Sequence, residues 1–129
     1  VVIPHSYAYK TIHKLLSIIT KSGLGSTVAA IKPLTSSNGY LSFPIDGITF
    51  AVDFAYNKKL WKLIDKLDNI VVKNGGRVYL AKDSRLNAES FSKMYSNSLS
   101  KFLSIRNKYL KSKPKPIFNS SIFERINKK

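Results

Sequence analysis

The sequence predicts an α+β domain in which helices cover one face of a small antiparallel sheet. Three observations predict it. Ile48, Phe50, Val52 and Phe54 alternate with Thr49, Ala51 and Asp53, which is the period of a strand with one buried face. Two stretches, Ile12 to Ile19 and Leu60 to Val71, repeat apolar residues at helical spacing. The elements then follow the order strand, helix, strand, strand, helix, strand, with further helices after them.

Each element has a local reason. Val1 to Pro4 reads as the end of a strand. Ser6 is the expected cap of a first helix carrying Ile12, Leu15, Leu16 and Ile19, with Lys21 suited to its C-terminus and Gly23 ending it. Thr27 to Leu34 is rich in β-branched and small residues and reads as a strand. Thr35 to Gly39 is a polar loop, Leu41 to Pro44 is extended because Pro44 disfavours a helical Phe43, and Asp46-Gly47 is a turn into the alternating strand. Asn57 is placed to cap a second helix with the stripe Leu60, Ile64, Leu67 and Val71 and with Trp61 beside it; Gly75-Gly76 ends it. Arg77 to Ala81 is the expected fourth strand. Ala88 to Tyr95 is a short helix, and Leu99, Phe102, Leu103, Arg106 and Tyr109 line one side of another. This is the split βαβ order of a ferredoxin-like fold, with C-terminal helices appended. The helices then take one face, and Thr49, Ala51 and Asp53 lie on the free one.

Composition narrows the function classes. The chain has 129 residues and 43% hydrophobic content, enough for a moderate core. No apolar run is long enough to span a bilayer. The absence of cysteine excludes a disulfide scaffold, a thiolate metal site and a cysteine nucleophile, and accords with a reducing compartment. The first residue is Val1, and the chain reads as cut from something longer. The net charge of +15 would attract polyanions. Part of it lies in Lys111 to Pro116, KSKPKP, which reads as an exposed connector, and residues 111–129 as a basic tail after a domain of residues 1–110.

Several motifs have a plain reading. Gly23-Leu24-Gly25-Ser26 precedes a strand, where a phosphate loop precedes a helix. His5 and His13 have no acidic partner at ligand spacing, so no metal site is expected. Asp65 and Asp68 stand among Lys58, Lys62 and Lys66, which reads as a solvated ion-pair face. An RNA-binding sheet displays aromatics on its open face, whereas this one displays Thr49, Ala51 and Asp53, so nucleic acid is not the expected partner.

The stretch Gly75 to Arg85, GGRVYLAKDSR, carries the chemistry. It sets Tyr79 and Lys82 at the end of a short apolar run, where a fixed ammonium can hold an anionic group or stabilise negative charge. Lys32, on the neighbouring strand, adds a second cation. Asp83 and Arg85 are expected to brace the loop through a local ion pair or backbone bonds and so to orient Lys82. On pattern alone, a helix-to-strand turn followed by a solvated charge cluster explains the stretch equally well.

At these residues, with Phe91 and Met94-Tyr95, the chain resembles the C-terminal substrate domain of FAD-dependent oxidoreductases of the decaprenylphosphoryl-ribose 2-oxidase type, in the wider vanillyl-alcohol oxidase group. The resemblance extends over nearly the whole chain, through the Lys32 region, Leu41 to Pro44, Ile48 to Phe54 and Ile105-Arg106. It implies a two-domain flavoenzyme: a separate domain, in the same or a companion chain, holds the FAD, and this one covers the ring system and shapes the substrate pocket. Lys82 then matches a lysine beside flavin and substrate, acting in catalysis and in cofactor binding; Tyr79 matches a pocket tyrosine that also meets the cofactor, and Lys32 a pocket lysine. Thr49 stands where the family has an asparagine and Ala51 where it has a cysteine, so the substrate is open. The loop Thr35 to Gly39 also departs from the pattern. The implied reaction passes a hydride from an alcohol carbon to flavin N5, with Lys82 electrostatic and not the base, since an unperturbed lysine is charged at neutral pH. The implied substrate class is an anionic sugar phosphate or lipid phosphate. The implied location is cytoplasmic, with membrane association an option for the complete enzyme. This portion alone would be inactive, and a second copy is a candidate to cover the free sheet face. The competing reading is a free-standing basic ferredoxin-like module that binds nucleic acid or protein.

Overall fold

A computed structural model describes residues 1–110 and 120–126; the stretch Lys111 to Pro116 lies outside them. The elements are β1 (Val2–Pro4), α1 (His5–Ser22), β2 (Ser26–Leu34), β3 (Gly47–Phe54), α2 (Leu60–Lys73), α3 (Ala88–Met94), α4 (Leu99–Leu110) and α5 (Ser121–Ile126), with a 3-10 turn at Leu80–Lys82. The chain divides into two compact units, Val1–Ser37 with Phe43–Leu80 and Asn38–Ser42 with Ala81–Lys129.

The first unit holds the sheet, in the order β1-β3-β2, with β3 antiparallel to both neighbours. β1 and β2 therefore run the same way and α1 is the crossover between them, which is the expected α+β, ferredoxin-like arrangement. Ile3 and Phe50 are buried against Ala8, Ile12, Leu15 and Ile19 of α1 and Leu60, Leu63, Leu67 and Val71 of α2, with Ile48, Val52 and Phe54 packed at the edge of this core. Thr49 is half-buried, and Ala51 and Asp53 are exposed. The alternation read in β3 is the alternation found.

The fourth strand is not formed. Arg77 and Val2 exchange both backbone hydrogen bonds, each at 2.8 Å, but this is an isolated bridge, and the backbone then coils into the 3-10 turn. Among the described residues the bridge is not extended into a ladder on either side. Three smaller expectations also shift. α1 begins at His5 with Pro4 as its N-cap and no side-chain cap, so Ser6 lies inside the helix. Leu16 is exposed, while Thr11 and Leu63 are buried. Asp68 is buried beside Leu67 and Val71 on the inner face of α2, not on a solvated one.

The glycine pair after α2 has two distinct causes. Gly75 adopts φ 72°, which favours glycine. At Gly76 a Cβ would stand 2.5 Å from the Val2 oxygen and 2.6 Å from Val71 Cγ1, both in the heart of the unit. Gly76→Ala is therefore expected to destabilise the fold by about 2–3 kcal/mol, read as a lowered urea midpoint at unchanged slope. An unchanged midpoint would show that the bridge strand backs away freely.

The second unit is organised by Asp83. Its carboxylate accepts from the backbone N–H of Arg85 at 3.0 Å and of Leu86 at 2.9 Å, and it pairs with the Arg125 guanidinium of α5. Arg125 Nε also donates to the Leu86 carbonyl at 3.2 Å. Arg106 of α4 lies over the Phe123 ring, 3.7 Å from its centroid. Asn87 caps α3 by accepting from Ser90 N–H at 2.8 Å, and Phe91 and Tyr95 are buried with ring centroids 5.2 Å apart.

Candidate functional site

The site residues of the first unit gather on the sheet face that α1 and α2 leave open. Paired residues of an antiparallel ladder project to the same side. Val2 pairs with Arg77 on one flank and with Thr49 on the other, and Thr49 pairs with Lys32, so Arg77, Val2, Thr49 and Lys32 form one row. The Thr49 hydroxyl donates to the Lys32 carbonyl at 3.1 Å, which fixes its rotamer and leaves its oxygen lone pairs as acceptors. In the next row Ala51 pairs with Ala30, so nothing larger than a methyl projects there. The result is a flat alanine patch bordered by a row in which Lys32 is exposed, Thr49 half-buried and Val2 fully buried, with Arg77 at the isolated bridge beside β1.

Tyr79 follows the bridge, is exposed, and leans on Phe43 with ring centroids 4.8 Å apart. That contact restrains the phenol ring while its hydroxyl remains available for a hydrogen bond. Lys82 closes the 3-10 turn and is exposed. It belongs to the second unit, whereas Lys32, Thr49, Ala51 and Tyr79 belong to the first. The next residue, Asp83, is pinned at the carboxylate, so the backbone leaving Lys82 is fixed. Of the two bracing modes expected, the backbone bonds are found, while the ion pair of Asp83 is made with the distant Arg125 and not with a neighbour in the loop.

Three contributors were not visible in the sequence as site residues. Arg77 enters the row through the bridge register, a non-local fact. Phe43 supports Tyr79 across a separation that no periodicity reports. Asp46 holds the loop after β2: its carboxylate accepts from Ser36 N–H at 2.9 Å and from the Ser36 hydroxyl at 3.2 Å. A signal existed for Asp46 in its polar turn position ahead of Gly47.

The patch alone identifies no cofactor site: no FAD-binding motif is seen among the described residues. Ala30 and Ala51 present a flat methyl surface beside the exposed Lys32. The glycines at 23, 25, 75 and 76 follow α1 and α2 and do not lead into a helix, so they supply no N-terminal cradle for a pyrophosphate. Among the described residues no group of three or more His, Asp or Glu side chains is placed to hold a metal ion, and no helix is long and apolar enough to cross a membrane.

No protein-family profile matches the chain. Over 55 residues it is 49% identical to decaprenylphosphoryl-beta-D-ribose oxidase of Mycolicibacterium smegmatis, a match covering 43% of this chain and 12% of that protein. The match is narrower than the resemblance read from the motifs: it is a distant, partial likeness to an FAD-dependent oxidoreductase of the vanillyl-alcohol oxidase group, and the chain spans only a small part of that protein's length.

Proposed function

We propose that this chain is the substrate-covering part of an FAD-dependent oxidoreductase acting on an alcohol carbon of an anionic sugar-phosphate or lipid-phosphate substrate. The observation that carries it is the open sheet face: a flat alanine patch beside an in-register Thr49–Lys32 pair, in a chain related to a flavin oxidase. The FAD would be held mainly by a separate domain, and a bound flavin would supply the two-electron acceptor.

The residues of this chain have separate tasks. Lys32 is an exposed ammonium at the rim of the patch and binds the anionic group of the substrate as a point charge. Thr49 accepts a hydrogen bond from a substrate hydroxyl, since its own proton is committed to the Lys32 carbonyl. Ala51 leaves room for the reacting portion. Tyr79, steadied by Phe43, donates from its hydroxyl to substrate or ring. Lys82 stabilises negative charge that develops during oxidation, with its backbone anchored by Asp83.

The test uses the complete flavoprotein with a phosphorylated alcohol and its unphosphorylated analogue. Lys32→Ala is expected to raise KM for the phosphorylated substrate about 10–100-fold, from loss of a charged hydrogen bond, and to leave the neutral analogue unaffected. An equal effect on both substrates would remove Lys32 from phosphate binding.

A further inference from the structure

The helical side of the first unit, opposite the open sheet face, carries charge that the flavin reading does not use. Lys14 and Ile18 of α1 and Lys66, Asn69, Ile70 and Lys73 of α2 line one open depression between the two helices. Projected at about 3.6 residues per turn, Lys10 and Lys21 fall in the Lys14 row of α1, and Lys62 falls in the Lys66–Lys73 row of α2. All of these lysines are exposed, and Ile18 and Ile70 between the rows are half-buried. The seam thus has an apolar floor with three lysines along each side. α1 contains no acidic residue and Asp68 of α2 is buried, while the exposed Asp65, one turn before Asn69, is a single carboxylate bordering the α2 row.

We propose that this seam docks onto an anionic phospholipid surface. Lysine ammonium groups reach lipid phosphates and carboxylates as point charges without needing a shaped pocket. Clusters of this size on a helical face suit anionic headgroups, each lysine adding attraction within a Debye length. The apolar floor and the exposed Tyr7, which projects to the same flank of α1, match the boundary between headgroups and acyl chains. A nucleic-acid backbone offers nothing for Ile18 and Ile70, and the seam carries no arginine. The inference rests on α1 and α2 alone and stands independently of the flavin reading.

The experiment is co-sedimentation of the full chain with phosphatidylcholine vesicles containing about 30% phosphatidylserine, at about 0.15 M salt. The expected result is binding to these vesicles and none to pure phosphatidylcholine. Lys14→Glu with Lys66→Glu is expected to weaken partitioning at least about 25-fold, roughly fivefold for each lysine lost. Lys101→Glu with Lys108→Glu on α4 changes the net charge equally and is expected to leave partitioning within about twofold. Circular dichroism checks that both variants fold, and Lys14→Gln with Lys66→Gln replaces the first pair if reversal unfolds it. Equal losses in the two pairs would overturn the proposal, because net charge alone would then explain binding. Tighter binding to duplex DNA or to a polyglutamate peptide than to the vesicles at the same salt would overturn it as well.

Discussion

Lys82→Ala in the complete flavoprotein is expected to lower turnover about 100–1000-fold, the loss typical of removing one electrostatic group from a reacting centre. The fold should be unaffected. Lys82 is exposed at the end of a 3-10 turn, and the turn is anchored by its neighbour's carboxylate, not by the lysine side chain. A purely structural role predicts the reverse, with stability lost and turnover per folded molecule kept. Lys82→Arg separates charge from geometry: the cation is retained, but a planar fork replaces a compact ammonium, so partial recovery is expected. Near-normal turnover in Lys82→Ala would remove this residue from the chemistry.

Asp83→Ala is expected to cost about 3 kcal/mol of stability, at the low end for breaking a buried ion pair because Arg125 is partly exposed. The side chain of Asp83 is 2% exposed and that of Arg125 28%. The loss combines an orphaned guanidinium with two backbone N–H groups deprived of their acceptor. Asp83→Asn keeps an oxygen for those N–H groups and should cost about half as much. Hydrogen exchange should localise the effect, with the amides of Arg85 and Leu86 and those of α5 losing protection first. A double cycle with Arg125→Ala should show coupling above about 1 kcal/mol. If Asp83→Ala is neutral within about 0.5 kcal/mol, the pair does not hold α5. The same variant should also impair turnover less than Lys82→Ala does, since Asp83 acts through the position of its neighbour.

The sequence was most legible where information is local. The alternation from Ile48 to Phe54 fixes which side chains face the helices, because a strand's period is set by its own backbone. It also placed Thr49 and Ala51 on the open face without knowledge of the strand's neighbours. The stretch Arg77 to Ala81 has the same local look, yet a strand is a property of a pair, and in this stretch Arg77 alone forms a bridge, to Val2. Row membership for Arg77, support of Tyr79 by Phe43 and the reach of Arg125 to Asp83 all join residues far apart in the chain. Helix α5 did carry a local signal: the Ser120 hydroxyl accepts from Phe123 N–H at 3.1 Å, and Glu124 lies in the first turn. The basic, proline-rich stretch before it hid that signal.

The most direct test of the central claim is the visible absorption spectrum of the native gene product, purified with any chain that accompanies it, followed by a redox titration of wild type and Lys82→Ala. The account predicts a bound flavin whose two-electron potential becomes about 30–60 mV more negative in the variant, as expected when a cation worth one charged hydrogen bond leaves the ring. A native product with no flavin, or a flavin whose potential ignores the loss of Lys82, would contradict it.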